Sequence, residues 1–510
     1  MYKLLLSWRY LRTRYIALAS IVSVTLGVGT LIVVNSVMAG FAHEMHVRLK
    51  GILSDIVFES HSLDGFTRPD WHQEEIRKVI GGDLISMTTA VHVPAIVHIR
   101  ARGQLLPRQV MLIGVDEATY GDVSQFREYL LHAENRKQLS FQLREDGYSD
   151  KDHPLPPSGW QHRRAWAAIE KEYLQQQEEM HRASQELEGK EPLPLKSNKP
   201  DVPPKSPFAG KKTEEEKGAE FDKSKEQYTG AILGIALGCI KQRDAEGKVK
   251  DYYLCRPGDD VTVTFASAGS DVKALKQQFT IVDFYESKMS EYDSGFVFVP
   301  LKALQEARGM TDSVTTIQLK LRPGADLNAV RDKLRARFPA EEFPYRIQTW
   351  RDMQGPLLSA VQMETTLLNI LLFLIIAVAG FGILATFFMI VVEKTKDIGI
   401  LKALGAPSRG VMSIFLSYGF SLGLVGSGAG MIGGLLFVVY INDIAKVVEW
   451  ITGHEVFDPT VYYFSRIPTI IEPMTIVGVV FGAVLIAVLA SVLPALRAAR
   501  LHPVQALRYE

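Results

Sequence analysis

Four runs without a charged residue constrain this chain more than any other feature: Tyr15 to Ala42, Thr365 to Val392, Gly410 to Asn442 and Pro473 to Leu496. Each exceeds the roughly 20 apolar residues that a helix needs to cross a bilayer. A charge at the centre of such a helix costs about 2.5 to 3.5 kcal/mol on insertion scales, so in a chain that is 22% charged these runs are not accidental. They predict four spanning helices. The first has a competing reading as a cleaved leader, because Lys3, Arg9, Arg12 and Arg14 precede it and Ala39 and Gly40 follow. Its apolar core is about twice the length of a leader's, which favours a retained span.

Basic residues predict the orientation. Four precede the first span, Lys394, Lys396, Lys402 and Arg409 lie between the second and third, and Arg497, Arg500 and Arg508 follow the fourth. The loop after the third span has only Lys446 and Arg466 among several acids. The positive-inside rule then places both termini (the N-terminus of segment 1–42, which also holds the first span, and 497–510) and the 393–409 loop on the cytoplasmic side. Residues 43–364 and 443–472 fall outside. With 57 Lys and Arg against 57 Asp and Glu, the chain has no electrostatic footprint for nucleic acid.

The fold expected is therefore an α-helical membrane protein with four transmembrane helices (through 42, 365–392, 410–442 and 473–496) and a large α+β extracytoplasmic, periplasmic region inserted between helices 1 and 2. Asp55 to Ser60 reads as a strand, and Asp70 with Gln73 has the form of a capping box opening a helix through Ile80. Ala90 to Ile99 and Arg108 to Val115, rich in Val and Ile, read as strands. Later come a strand at Thr315 to Leu321, a helix at Asp326 to Phe338 with Leu327, Val330, Leu334 and Phe338 on one face, and a strand at Tyr345 to Thr349. The two ends, 43–116 and 306–364, are expected to pack as one membrane-proximal domain, with 117–305 inserted as a second. Within it, 150–228 is charged and Gln-rich, with six prolines between Pro192 and Pro207. Trp166, Ile169, Tyr173, Met180 and Leu187 mark a narrow helical stripe, expected to lie against its own domain; a partner-binding helix is the alternative.

Catalytic motifs are missing. Gly210-Lys211-Lys212-Thr213 lacks both the first glycine and the G-K-[ST] order of a phosphate loop, and His43-Glu44-Met45-His46 is one residue short of H-E-x-x-H spacing. The chain is accordingly read as no enzyme, with no catalytic residue and no metal site. Cys239 and Cys255 leave a disulfide and two buried thiols both open.

The most informative segment is the loop Glu393-Lys394-Thr395-Lys396-Asp397-Ile398-Gly399-Ile400-Leu401-Lys402-Ala403-Leu404-Gly405-Ala406. Thr395 can cap a short helix carrying Ile398, Leu401 and Leu404 on one stripe, and Gly405 can supply a left-handed end. By itself such a helix could rest in the headgroup layer. The string resembles the cytoplasmic signature of FtsX-like ABC-transporter permeases. The opening Trp8 to Arg12, Val37 to Phe41, Leu112 to Asp116, Gly258 to Val261, Tyr292-Asp293, Thr349-Trp350, Pro494 to Arg500 and Ala506 to Arg508 are similar to the lipoprotein-releasing (Lol type) branch, in the same order.

That resemblance implies a permease subunit that pairs with a second permease, identical or paralogous, and binds a separate cytoplasmic ABC ATPase through the 393–409 helix. It couples ATP hydrolysis to motion of the periplasmic region and releases lipoproteins from the inner membrane. No cofactor is implied in this chain, since ATP and Mg belong to the ATPase. The coupling residues would be Glu393, Lys394, Asp397, Ile398, Leu401, Lys402, Leu404 and Gly405. An acylated substrate needs an apolar surface, which Val33, Val37, Met38, Phe41, Leu357, Leu358 and Val361 offer at the outer ends of the first two spans. Two departures bear on this reading. The stretch equivalent to the proline-bearing hairpin that recruits a periplasmic carrier, Phe265 to Leu275, is short and has no proline, and the 150–228 insertion lies outside the pattern. The alternatives are export of another hydrophobic substrate, as in macrolide exporters, and transmembrane signalling to cell-wall hydrolases.

Overall fold

The computed structural model describes residues 15–62, 64–101, 104–149, 154–188, 221–243, 249–269, 271–452 and 466–502. In chain order the principal elements are helix α1 (Tyr15–Ile52), β1 (Ile56–Ser60), α2 (Pro69–Ile80), β2 (Leu84–Ala101), β3 (Gln104–Val115), α3 (Trp160–Glu188), β4 (Gly230–Gly234), β5 (Cys239–Arg243) and β6 (Val249–Tyr253). They continue with β7 (Asp260–Ala266), β8 (Ala274–Tyr285), β9 (Phe296–Pro300), β10 (Thr316–Leu321), α4 (Leu327–Arg337) and β11 (Tyr345–Thr349). Helices α5 (Gly355–Glu393), α6 (Thr395–Ala403), α7 (Ser408–Val439), α8 (Ile441–Thr452) and α9 (Pro473–Arg500) follow. The chain forms two compact units, residues 1–49 with 351–510, and residues 50–350. The basic residues of 1–14 and the 189–220 proline-rich stretch fall outside the described residues.

The first unit is a bundle. Leu18–Ile52 of α1 and all of α5, α7 and α9 are long and apolar enough to cross a membrane. Two of them outrun the expected spans by ten residues at one end. Helix α1 continues ten residues past Ala42, because its sequence offers no breaker before Gly51 and an i,i+4 pair, Arg48 to Glu44 at 2.9 Å, supports the added turns. Helix α5 likewise starts at Gly355, with Pro356 in its first turn.

Small residues set the bundle's packing. A methyl at Gly423 of α7 would lie 2.8 Å from the Ala487 side chain of α9, and one at Gly430 would lie 2.6 Å from the Thr25 carbonyl of α1. Gly419 packs on α9 in the same manner, and Gly426 and Gly434 pack on α1. The small-xxx-small ladder of the third span is thus filled within this subunit, two steps against α9 and three against α1. Thr25 Oγ1 donates to the Gly426 carbonyl at 3.1 Å, satisfying its hydroxyl where backbones approach.

The second unit is built on one sheet of order β11-β1-β10-β2-β3-β9-β4-β8-β7. Strand β2 is the hinge of its topology. On one flank its Leu84 to Ala90 half pairs with β10 and its Ala95 to His98 part pairs with β7, while β3 runs along the other flank. The β2–β7 pairing closes β2-β3-β9-β4-β8-β7 into a six-stranded barrel, which removes the free edges of those strands. Pro94 lies in the interval between the β10 and β7 partners, where a missing N–H breaks no ladder on that flank. Val97, Val263, Phe279, Ile281 and Val297 are fully buried in this unit.

Strands β10, β1 and β11 extend the same sheet beyond the barrel and carry α2 and α4. Phe58, Ile76, Leu334, Phe338 and Ile347 form their core, so the expected apolar face of the 326–338 helix is the one that packs. Asp326 caps α4 by accepting from the Asn328 and Ala329 amides. The capping box expected at Asp70 is not formed. The cap falls two residues earlier: α2 starts at Pro69, whose fixed φ suits a first turn, and Arg68 occupies the cap position in the left-handed region (φ 55°) without a side-chain cap.

Helix α3 corrects another expectation. Its first turn is tied to the barrel: His162 Nε2 pairs with Asp259 Oδ1 at 2.7 Å, and the buried Arg163 donates to Asp260 Oδ1 at 2.6 Å and to the Gly258 and Glu226 carbonyls. Beyond Glu170, which pairs with Lys223 at 2.8 Å, every described side chain of the helix is exposed. Trp166, Ile169, Tyr173 and Met180 are each more than half exposed, so the stripe does not lie against its own domain. The side chain of Leu187 is outside the described residues. Cys239 and Cys255 are both buried and free.

Candidate functional site

Helix α6 is set off from α5 by a single residue. Lys394 sits between them at φ −96°, ψ 12°, its N–H still bonded to the Ile390 carbonyl and its carbonyl already accepting from Ile398. Thr395 does not cap the helix as expected. Its hydroxyl donates back to the Val391 carbonyl at 3.0 Å, continuing the helix before it. At the other end Gly405 has φ 94°, the left-handed turn its position requires, and the Gly405 and Ala406 amides close onto the Lys402 and Leu401 carbonyls.

The apolar stripe divides. Ile398 is buried in the bundle core with Ile390, Val411, Phe415 and Ala498, whereas Leu401 is 44% and Leu404 82% exposed. Ile400, outside the expected stripe, is exposed beside them. Lys394 pairs with Asp397 at 2.6 Å on the helix's first turn. Glu393 is exposed at the α5 end.

Lys402 takes a role that local pattern does not reveal. Its Nζ donates to the carbonyls of Ala499 at 2.8 Å and Leu501 at 2.6 Å, so it caps the C-terminus of α9 and favours the negative end of that helix dipole. The only local signal is a lysine in the last turn of one helix and a second helix ending nearby in the bundle. One arm of α6 is thereby fixed to the bundle through Ile398 and Lys402, and the other presents Ile400, Leu401 and Leu404.

The bundle also contains a cleft of about 600 Å³ between α1, α5, α9 and the segment 470–472. Of the residues expected to receive an acyl chain, Met38 lines it, beside Asn35, Ser36, Thr365, Asn369 and Phe373. Val33, Val37 and Phe41 on α1, and Leu357, Leu358 and Val361 at the start of α5, are half-buried and lie outside its lining. The segment 466–472 is strapped to its neighbours. The Ile470 amide donates to the Ser36 carbonyl at 2.9 Å, Asn442 exchanges two bonds with the Ile467 backbone, and a methyl at Gly40 would run into the Pro468 carbonyl.

Four helices long and apolar enough to cross a membrane, with a short, half-docked helix between the second and third and a large α+β unit, define a multi-pass membrane protein. Residues 369–503 match the FtsX-like permease C-terminal family. Among the chain's relatives, the lipoprotein-releasing system transmembrane protein LolC of Xylella fastidiosa is 33% identical over 234 residues, 46% of this chain and 56% of that one. LolE of Haemophilus influenzae is 28% identical over 223 residues, 42% of this chain and 52% of that one. The macrolide export ATP-binding/permease protein MacB of Bdellovibrio bacteriovorus is 29% identical over 253 residues, 48% of this chain and 36% of that one. The chain spans about half the length of the Lol relatives it matches. A crystal structure of the periplasmic region of MacB from Actinobacillus actinomycetemcomitans aligns with 61% of this chain and 95% of that one at 9% identity, with a TM-score of 0.25.

Proposed function

We propose that this chain is the permease subunit of an inner-membrane ABC transporter, seating a separate cytoplasmic ATPase on α6 and transmitting its closure to an α+β unit in the periplasm, with lipoproteins as the cargo released. The observation that carries the reading is the division of α6. A helix with one face fixed in the bundle and Ile400, Leu401 and Leu404 uncovered on the other is suited to seat in a partner's groove and pass its movement to α5 and α9. Both termini then lie in the cytoplasm, ATP and Mg are bound by the partner, and a second permease, identical or paralogous, completes the pair. Lipoprotein cargo is supported by the similarity to LolC and LolE. The relation to MacB supports a second reading, export of another hydrophobic substrate.

Leu401→Asp tests the coupling. Placing a carboxylate in an apolar contact costs several kcal/mol before relaxation, so ATPase co-purification and cargo-stimulated hydrolysis are expected to fall at least about tenfold, with membrane insertion unchanged. Ile398→Asp, which buries the charge in the bundle core, should instead lower the amount of folded protein. Wild-type ATPase binding by the Leu401 variant would refute the seat. Mass spectrometry of lipidated proteins bound to the assembled complex separates lipoprotein cargo from a small hydrophobic one.

A further inference from the structure

The cleft between α1, α5 and α9 has the dimensions and chemistry of a lipid site. Its walls run from Leu31 to Ala42 on α1, Thr365 to Ile376 on α5 and Thr475 to Ile486 on α9. Each wall spans eleven residue steps, about 16 Å of helix, close to one leaflet of the roughly 30 Å hydrocarbon core. The hollow exists because α9 contributes Gly478 and Gly482 there, and a Cβ added at either would meet nothing within 4 Å. A groove open to hydrocarbon and one leaflet deep takes acyl chains.

The headgroup is selected at one end. Among the described residues Glu472, exposed at the start of α9, is the one ionisable side chain in the lining. Its Oε2 accepts the Thr475 hydroxyl at 3.0 Å. Asn369, one turn in from Thr365 on α5, adds a carboxamide that can donate to an ester carbonyl. An anionic mouth over an apolar groove complements an amphiphile with an ammonium head and repels one whose net charge is negative.

We infer that this cleft binds a phospholipid with a primary-amine headgroup, its ammonium at Glu472 and an acyl chain along Gly478 and Gly482. The site serves the subunit in the membrane whatever its cargo, and its test involves no ATPase, so its failure and the failure of the coupling reading are distinguishable.

The experiment places the full-length protein in vesicles of equal phosphatidylethanolamine and phosphatidylglycerol, with a trace of either lipid carrying a photoreactive acyl chain, and quantifies labelled peptides. The ethanolamine probe is expected to label Leu31 to Ala42 and Thr475 to Ile486 about fivefold more than the glycerol probe, the size of one partly exposed ion pair. Glu472→Gln should bring the two probes level, and Gly482→Leu should remove the label. Gly478→Leu repeats the filling test if the Gly482 variant fails to fold. Equal labelling by both probes on the unaltered protein, or full labelling of the filled variants, overturns the proposal. So does a filled variant with a changed oligomeric mass, since a second copy would then occupy the groove.

Discussion

Lys402 shows what a single side chain does when helices from distant parts of the chain end together. It relieves one carbonyl in the last turn of α9 and one just past its end, and a bond of this charge-assisted kind contributes about 1.5 to 3 kcal/mol when shielded, less where water competes. Lys402→Met keeps the stem and loses the charge. Amide exchange at Leu501 and the last turn of α9 is expected to accelerate by about an order of magnitude, with no change in α7. Asp283 is a second such residue, in β8. It accepts from the His132 and Phe284 amides and from Asn135 Nδ2, yet burial dominates and pushes its carboxyl up to about 7. The native state therefore holds this proton more tightly than the unfolded chain, whose carboxyl titrates near 4. Between about pH 4 and 7 the unfolded state binds fewer protons, so stability falls as pH rises through that window, by on the order of a few kcal/mol in total. Below it both states are protonated and the penalty is absent. Thermal unfolding of the solubilised protein at pH 5 and pH 8 is expected to show the loss, and Asp283→Asn to flatten it.

At the scale of elements, legibility followed the range of the interactions. Strand β11 and the packed face of α4 were readable because alternation and 3.6-residue spacing are local signals. The charge-free runs marked four helices for the same reason, although not where they end: past Ala42, polar residues continue α1 as well as apolar ones began it. The stripe on α3 was also real, but periodicity cannot say what covers a face. Here the first turn's buried Arg163 holds the helix and leaves Trp166 in solvent. Trp166→Ala is accordingly expected to change the unfolding free energy by less than about 0.5 kcal/mol, whereas Arg163→Ala, which leaves Asp260 short of its cation, should cost several times more. Differential scanning fluorimetry of the pair checks this. Division of α6 was illegible for the complementary reason, since the partners of Ile398 and Lys402 lie in α7 and α9.

Across the whole molecule, closure of the barrel depends on pairing Ala95 with Phe265, a contact no local pattern reports. Orientation, by contrast, rests on charge alone and is open to direct measurement. With native Cys239 and Cys255 both buried, and Cys239 pushed up to about 12 chiefly by burial, background thiol labelling is low. A cysteine replacing the exposed Gln176 is expected to react with an impermeant reagent in cells with an opened outer barrier, while one replacing Lys396 stays protected. The reverse pattern would invert the topology. The α+β unit meets its two covalent connections at one rung of the sheet. Ile56 of β1 pairs with Thr349 of β11, and the Trp350 amide bonds to the Asp55 carbonyl. Tension applied equally to both connections loads β1 in shear against β10 and carries the unit as one body. Tension that draws the two connections apart peels β11, a five-residue edge strand, from β1 one bond at a time. The unit is thus mechanically strong to a common pull and weak to a differential one, so force reaches it intact only when its two connections move in step.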